Sequence, residues 1–238
     1  MSILCSVVIP TYNEKDNIPI LIERIVSTLS GKDFEIIVAD DNSPDLTWQL
    51  VEEFSKKDGR IRCLRRLHGK GLSPSIVDGF DIAKGDYLCV MDGDLQHDES
   101  CIVKMLAEAE KCDLVLGTRY SAGGGIEGGW PLHRRLASTA ATLMARIMLG
   151  VKVSDPMSGF FIVRASSYRS IRRYLNPRGF KILLEILYLL QVHPDKMEFR
   201  EVGIFFRRRK AGESKLGLGV MWNYCLSLWQ LRKVKISR

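Results

Sequence analysis

The stretch "DYLCVMDGDLQHD", residues 86–98, places a short apolar run directly before a dense group of acidic and amide side chains. Residues 87–91 have the length and composition of a buried β-strand. Ligands of open parallel sheets bind beyond the carboxyl ends of the strands, where the chain must turn. The stretch therefore predicts both a fold class and the place of a functional site.

Outward from this stretch, strand-like runs alternate with segments of helical periodicity. Toward the N-terminus we expect strands near residues 3–10 and 34–40, with a helix at 16–29 between them. The other elements that we expect are helices near 46–56, 75–83 and 99–110 and strands near 60–64 and 114–117. This β-α alternation predicts a three-layer α/β fold, with a parallel, doubly wound sheet covered by helices on both faces. Beyond Gly117 the order is looser, and the glycine-rich residues 121–129 are expected to form a loop.

Composition limits the class of protein. The 238 residues are 46% apolar and 26% charged, which fits one large or two small soluble globular domains. No apolar run approaches the ~18 residues of a membrane-spanning helix, and we expect no signal peptide, so the sequence predicts a protein on the cytosolic side. Six cysteines without a C-x-x-C pair indicate neither a zinc ribbon nor a redox motif.

Positive charge is concentrated at the C-terminal end. Residues 200–238 contain ten Lys and Arg against two Glu, whereas residues 1–199 contain 25 basic and 26 acidic side chains. The net charge of +7 therefore belongs to the C-terminal part, where it indicates an anionic partner.

The acids after the central strand indicate a divalent metal ion. In an extended segment, Asp92 and Asp94 would point to the same side and repel each other unless a cation lies near them. Gln96 continues that spacing with a neutral oxygen ligand, and such oxygens suit Mg²⁺ or Mn²⁺. Plain surface acids remain the alternative. We expect His97 to be a supporting or solvent-facing residue rather than a catalytic base.

The loop after the first strand indicates a nucleotide without the usual phosphate-binding glycines. Residues 10–17, "PTYNEKDN", contain no glycine, which excludes the dinucleotide-binding fingerprint of dehydrogenases, and a P-loop is also missing. Tyr12, Glu14 and Asp40 instead offer an aromatic face and hydrogen-bond acceptors that suit a base and a ribose.

The motifs "VVIPTYNE", "DDNSPD", "MDGDLQH", "GTRY" and "GESKLG", in this order and spacing, resemble glycosyltransferase family 2, and within it the dolichyl- or polyprenyl-phosphate mannose synthases. The resemblance covers nearly the whole chain and implies a GT-A, Rossmann-like fold. It implies Asp94 and Gln96 as ligands of Mg²⁺ or Mn²⁺. The other donor-binding positions that it implies are Pro10, Tyr12, Glu14, Val38, Asp40, Asp92, Gly93, Lys181, Arg209 and Lys215. The chain departs from the family at Asn42, where glycine is frequent, and at residues 71–75, "GLSPS".

The resemblance also implies an acceptor site and a reaction. Arg119 and Arg134 correspond to basic positions that bind the acceptor phosphate, and together with Asp92 and Asp94 they form the expected catalytic group. A lipid phosphate is largely dianionic at neutral pH, so no general base is required. For Lys181, which precedes an apolar helix, a solvent-reaching lysine at a helix end is the alternative.

The implied reaction is inverting transfer of mannose from GDP-mannose to dolichyl or polyprenyl phosphate. The first alternative is transfer of glucose or another hexose from a UDP-sugar to the same kind of lipid. A nucleic-acid-binding module is the second alternative. It is disfavoured because the basic tail lacks an RNA-binding aromatic motif and the acidic sheet edge repels phosphate. We expect no nucleic-acid partner.

Two amphipathic segments predict contact with a membrane surface. Residues 216–238 combine Trp and Leu with a basic terminus, and residues 131–150 have five apolar side chains near one helical face: Leu132, Leu136, Ala140, Leu143 and Ile147. We therefore divide the chain into a catalytic domain at 1–215 and an interfacial segment at 216–238, with ordinary core packing as the alternative. The expected location is the cytoplasmic face of the endoplasmic reticulum or of a prokaryotic plasma membrane, with an anchor subunit or a membrane domain as a further partner.

Overall fold

The structure is a computed structural model that describes residues 5–129, 132–177, 179, 181–195, 197–207, 228–234 and 236. Arg209 and Lys215 lie outside these residues, as does the side chain of Arg134. The boundary expected between residues 215 and 216 also lies outside them and stays a prediction.

Strands and helices alternate through the first half of the chain, as the sequence predicts. The strands are β1 (Cys5–Thr11), β2 (Phe34–Asp40), β3 (Ile61–Arg65), β4 (Tyr87–Val90), β5 (Leu114–Thr118), β6 (Gly125–Ile126), β7 (Phe161–Arg164), β8 (Phe199–Gly203) and β9 (Phe205–Phe206). The helices are α1 (Ile18–Thr28), α2 (Thr47–Lys57), α3 (Leu72–Ile82), α4 (Cys101–Ala109), α5 (Leu132–Leu149), α6 (Ala165–Ile171) and α7 (Ile182–Gln191). A 3-10 turn follows α6 at Arg172–Tyr174.

The main sheet has seven strands in the order β3-β2-β1-β4-β7-β5-β8. All neighbours run parallel except β7, which is antiparallel to both β4 and β5. The expectation of a wholly parallel sheet is therefore wrong for β7. The reversal depends on contacts between residues far apart in the chain, because β7 follows the long helix α5 and inserts between β4 and β5.

Helices cover both faces of the sheet. Alternate side chains of β1 point to opposite faces, so Val7 and Ile9 pack in one hydrophobic cluster and Val8 packs in the other. The first cluster includes residues of α1, α2 and α4, and the second includes residues of α3, α5, α6 and α7. Burial of both faces explains why the strands read as continuous apolar runs. The three-layer α/β fold is confirmed.

Both departures from the family pattern fit the backbone. Asn42 has φ of 55°, a left-handed conformation that asparagine tolerates better than most residues and glycine tolerates freely. Helix α3 begins at Leu72, which places Pro74 in its first turn, where a missing N–H costs no helical hydrogen bond.

Two C-terminal leucines belong to the core. Leu228 and Leu231 are buried in the cluster that contains Ala145 and Leu149 of α5, whereas Trp229 is 55% exposed. The expectation that this segment turns its leucines toward a membrane therefore does not apply to these two. The interfacial helices as a whole stay a prediction. Among the described residues, no helix combines the length and the hydropathy needed to cross a membrane.

Candidate active site

Polar residues gather where β1, β2 and β4 end, and we call this the carboxyl edge of the sheet. Thr11 and Asp40, the last residues of β1 and β2, lie side by side in the register, and Val90 ends β4 on the other side of β1. Because β7 is antiparallel, its first residue, Phe161, pairs with Val90 and Leu116 at the same edge. Residues 155–160, which precede β7, therefore also lie there.

Asp40 ties the ends of two strands together. It is fully buried, and its Oδ2 accepts hydrogen bonds from Thr11 Oγ1 (2.8 Å) and Ser43 Oγ (2.6 Å), while Oδ1 accepts one from the Ser43 backbone N–H (2.8 Å). A buried carboxylate with three donors is well satisfied. Asp40 therefore holds together the backbone next to the expected nucleoside site.

A second buried carboxylate, Asp41, forms a network that the sequence did not predict. It accepts hydrogen bonds from Arg66, from Ser75 Oγ (2.9 Å) and from the Gly71 backbone N–H (2.7 Å). Arg66, with a side chain only 4% exposed, also bonds Asp78 at 2.7 Å. The network joins the loops after β2 and β3 to α3, and so fixes one wall of the site.

The remaining predicted nucleoside residues divide into exposed and buried ones. Tyr12 is 43% exposed, and Lys70 Nζ lies 5.4 Å from the centre of its ring. Glu14 is half-buried, and its Oε2 accepts a hydrogen bond from Asn17 Nδ2 at 2.7 Å. Pro10 is buried in β1, and the Val38 side chain lies in the core without exposure. The structure therefore brings the Tyr12 ring, but not the Val38 side chain, to the crevice.

The metal motif is a turn rather than the extended segment that the sequence analysis assumed. Asp94 Oδ1 accepts a hydrogen bond from the Gln96 backbone N–H at 3.1 Å, and Leu95 between them has φ of 61°. Asp94 and Gln96 are each 8% exposed. The two predicted ligands are therefore adjacent because the chain folds back on itself, not because of strand periodicity.

Gln96 is held at two points by Arg207. The side-chain Nε2 of Gln96 donates a hydrogen bond to the backbone carbonyl of Arg207 (3.0 Å). The backbone carbonyl of Gln96 accepts one from the backbone N–H of Arg207 (2.7 Å). With its NH₂ group engaged in this way, the amide presents its oxygen as an acceptor or ligand. The Arg207 guanidinium pairs with Asp98 and Glu99, each at 3.1 Å.

The donor set fits a divalent ion that is shared with a substrate. Among the described residues, no group of three His, Cys, Asp or Glu side chains is placed to hold a metal ion. Asp94 and Gln96 provide one carboxylate and one amide oxygen. Mg²⁺ is commonly bound by one or two carboxylates together with substrate phosphates and water, so these residues suit an ion completed by a diphosphate.

Asp92 is positioned by His97, which was expected to be a supporting or solvent-facing residue, and by Gly159, which was not expected at the site. His97 Nε2 lies 3.2 Å from Asp92 Oδ2, and the imidazole is 3% exposed between the rings of Phe160 and Phe206. Gly159 packs directly against the Asp92 carboxylate, because a Cβ atom added at Gly159 would stand 2.8 Å from Asp92 Cγ. His97 is therefore a buried supporting residue, and the solvent-facing alternative is wrong.

Arg119 is held rigidly beside the crevice. Its Nε and Nη2 donate to the two oxygens of Asp155 at 2.7 and 2.8 Å, a bidentate pair in which Asp155 is 1% exposed. The guanidinium also lies 5.3 Å from the ring centre of Phe206. Such bidentate pairing fixes the plane of the guanidinium.

Lys181 lies at the start of α7. Its side chain is 12% exposed, and its Nζ is 3.5 Å from Glu185 Oε1 one turn further along the helix. The alternative of a lysine that reaches freely into solvent is therefore wrong.

Asp155 and Gly159 were missed because only the carboxyl ends of strands were considered. The motif "DPMSGF", residues 155–160, enters an antiparallel strand and reaches the same edge from the other direction. The aspartate, proline and glycine of this motif stand directly before an apolar strand, and this pattern could have indicated further site residues.

Comparison with known proteins agrees with these motifs. Residues 6–172 match the family described as Glycosyl transferase family 2. The chain is 40% identical to a Dolichol-phosphate mannosyltransferase of Pyrococcus furiosus over 231 residues, which are 96% of this chain and 63% of that protein. It is 39% identical to a protein of the same name from Saccharomyces cerevisiae over 242 residues, which cover 100% of this chain and 90% of that protein.

The fold is shared with solved structures of lower identity. One is glucosyl-3-phosphoglycerate synthase from Mycobacterium tuberculosis in complex with Mg²⁺ and uridine diphosphate, with a TM-score of 0.71, 21% identity and coverage of 98% of this chain and 80% of that one. The same enzyme with Mn²⁺, uridine diphosphate and phosphoglyceric acid gives a TM-score of 0.69 at 20% identity, again over 98% and 80%. With its motifs, its fold and its relatives in agreement, the chain belongs to glycosyl transferase family 2.

Proposed function

We propose that this protein transfers mannose from GDP-mannose to the phosphate of dolichyl or polyprenyl phosphate, with inversion at the anomeric carbon. The observation that carries the proposal is identity of 39–40% over nearly the whole chain to two proteins named Dolichol-phosphate mannosyltransferase. The carboxyl edge supports it, because the expected metal ligands follow β4 and Arg119 follows β5, two strands that end at this edge with β7 between them.

On the donor side, the chain offers a preformed nucleoside site. The exposed ring of Tyr12 stacks on the base, and Glu14 accepts hydrogen bonds from the ribose. Asp40 and the pair of Asp41 with Arg66 hold the loops around them, so little ordering is needed when the donor binds.

Asp94 and Gln96 would hold Mg²⁺ or Mn²⁺ next to the donor. The ion, when bound, supplies positive charge that stabilises the departing GDP. Asp92, kept in place by His97 and Gly159, orients the sugar. Arg209 and Lys215, which lie outside the described residues, belong to this donor site by their motif.

On the acceptor side, Arg119 and Arg134 bind the lipid phosphate. Two like unit charges ~4 Å apart repel by about 4 kcal/mol at an effective dielectric of 20, so the phosphate needs cations to approach the donor. A phosphate oxygen then attacks the anomeric carbon and the bond to GDP breaks. The nucleophile is already ionised, so no side chain has to remove a proton.

The exposed face of α5 supports a membrane-bound acceptor. Leu136, Leu143 and Ile147 are 60%, 54% and 73% exposed and recur along one face of the helix together with Ala140. A stripe of exposed apolar side chains on a helix is typical of contact with a bilayer surface. We therefore place the enzyme at the cytoplasmic face of a membrane, recruited there by this face, by the basic C-terminal segment and by an anchor subunit or membrane domain.

The test is a donor panel with the purified chain, Mg²⁺ and dolichyl phosphate in detergent. We expect a mannolipid from labelled GDP-mannose and no glycolipid from UDP-glucose. Product formation from UDP-glucose with GDP-mannose inactive would favour the hexosyl alternative. Inactivity with every nucleotide sugar, in a protein that retains its fold by circular dichroism, would contradict the proposal.

A further inference from the structure

Glu185 is a carboxylate buried in the first turn of an apolar helix. Every residue from Ile182 to Leu190 in α7 is buried, and Glu185 itself is 3% exposed. Its Oε1 lies 3.5 Å from Lys181 Nζ, while Oε2 has no hydrogen-bond partner among the described residues. A buried carboxylate that is only half satisfied is costly, and such groups in native proteins call for an explanation.

Glu185 is poised between its two protonation states. Burial raises the pKa of Glu185 to about 7, although the Lys181 charge and the backbone N–H of Asn176 act in the opposite direction. Near neutral pH the carboxyl group is therefore partly protonated, and any change in the position of the Lys181 ammonium shifts that balance.

Other charges around α7 are engaged elsewhere. On α3, Asp78 pairs with Arg66 and Asp81 pairs with Arg172 of the 3-10 turn. Further charged groups in the same region are Arg173 over the Tyr174 ring, Arg146 on the Val153 carbonyl and Lys233 over the Trp229 ring. Within the described part of the chain, Lys181 is the charge that acts on Glu185.

The start of α7, where Lys181 lies, is joined to the start of α3. The Gly179 carbonyl, two residues before Lys181, accepts a hydrogen bond from the Ser73 N–H at 3.1 Å. Helix α3 in turn contacts Asp41 through Ser75. The backbone that leads into Lys181 is thus joined to the helix that forms one wall of the donor crevice.

We propose that Glu185 is a positioning residue for Lys181 and that donor binding is coupled to protonation of its carboxylate. When the donor diphosphate draws the Lys181 ammonium toward itself, the Glu185 carboxylate loses its counter-charge and takes up one proton from solvent. The inference rests on the proposed function, because it takes Lys181 as a contact of the donor diphosphate.

The sign of the pH dependence follows from this exchange. The donor-bound protein holds more protons than the free protein, so donor affinity falls as the pH rises through the pKa of Glu185 near 7. One linked proton changes an affinity by at most about tenfold per pH unit. We expect GDP-mannose to bind several-fold more weakly at pH 8.5 than at pH 6.5.

The experiment is calorimetric titration of GDP-mannose into the full chain, with Mg²⁺ present and no lipid acceptor. GDP-mannose is the right probe because its diphosphate has no terminal group that titrates near neutral pH. Repeating the titration at pH 7.5 in two buffers of different ionisation enthalpy measures the protons taken up. We expect the wild type to take up a fraction of a proton.

Glu185→Gln should abolish that uptake and leave an affinity that changes by less than about twofold over the same pH range. Glu53→Gln, which removes an exposed carboxylate on α2, is the matched control and should behave as the wild type. Lys181→Gln provides a second test from the other partner, because without the ammonium there is no counter-charge to lose, so its uptake should also vanish.

A Glu185→Gln protein that is folded and still takes up protons like the wild type would overturn the inference. If that variant does not fold, normal proton uptake by Lys181→Gln would overturn it instead. Absence of GDP-mannose binding to the wild type would contradict the proposed function as well, whereas binding without proton uptake removes this inference alone.

Discussion

The two halves of the sheet present different chemistry at the same edge. In the parallel half, formed by β3, β2, β1 and β4, the buried carboxylates Asp40 and Asp41 are satisfied by loop residues and fix the shape of a polar pocket. In the half that contains β7, β5 and β8, the buried Asp155 instead holds the Arg119 guanidinium. We infer that the first half binds the donor and the second binds the acceptor phosphate.

The metal motif lies on the donor side of this division, and its loss should have the largest effect. Asp94→Asn keeps the hydrogen bond of the turn but removes the charge that binds the metal. We expect the rate of mannose transfer to fall at least about 10²-fold, since leaving-group stabilisation is lost. Transfer rates measured with saturating lipid acceptor test this.

Asp58→Asn is the control for that variant, because Asp58 lies before β3 at the opposite edge of the sheet. It should transfer mannose at the wild-type rate. Full activity of the unmodified enzyme in excess EDTA would show that the reaction does not depend on the metal.

Gly159 connects the two halves, because it belongs to the loop before β7 and supports Asp92. In Gly159→Ala, the new methyl group would displace the Asp92 carboxylate, which can rotate away without unfolding the chain. We expect about a tenfold loss in kcat, in line with the loss of one positioned group. Steady-state kinetics on the folded variant test this.

Gly59→Ala is its matched control, since a Cβ atom at Gly59 meets nothing within 4 Å. Equal kinetics for the two alanine variants would mean that Asp92 does not need its present position.

The parallel half could be predicted from sequence and the mixed half could not. Between residues 5 and 109 each strand is followed by a helix, and this local alternation dictates parallel pairing. The antiparallel insertion of β7 between β4 and β5 depends on contacts far apart in the chain, which hydrophobic periodicity does not encode.

The same limit applies to the candidate site. Asp92, Asp94 and Gln96 were identifiable because acids after a buried strand are unusual and the motif is short. For His97 the sequence left a supporting and a solvent-facing role open, and Gly159 could not be assigned, because both roles depend on packing. Glu185 gave a signal of its own, a lone charge within an apolar helix, but only the structure shows its pairing with Lys181.

The apolar stripe on α5 should have the smallest effect, and one confined to the lipid substrate. Ile147→Ser removes an apolar side chain of that helix that is 73% exposed. We expect a loss of a few-fold in activity on long-chain dolichyl phosphate in liposomes, because apolar area at the interface contributes only modest binding energy. A short, water-soluble lipid phosphate should be used as by the wild type.

Ile20→Ser, on the exposed face of α1, is the control and should leave both acceptors unaffected. Liposome flotation should also increase with anionic lipid and decrease with salt. If Ile147→Ser floats with liposomes as the wild type does and shows the same preference among acceptors, the α5 face does not contact the membrane.

The division of labour between the two halves is tested most directly by Arg119→Lys. Alanine would strip the buried Asp155 of its partner, whereas lysine keeps a positive charge there and removes the bidentate fork. We predict a donor affinity within about twofold of the wild type and a rate of transfer to dolichyl phosphate lower by about tenfold, as for one lost phosphate contact. A matching loss of GDP-mannose affinity in the folded variant would contradict the assignment of this half to the acceptor.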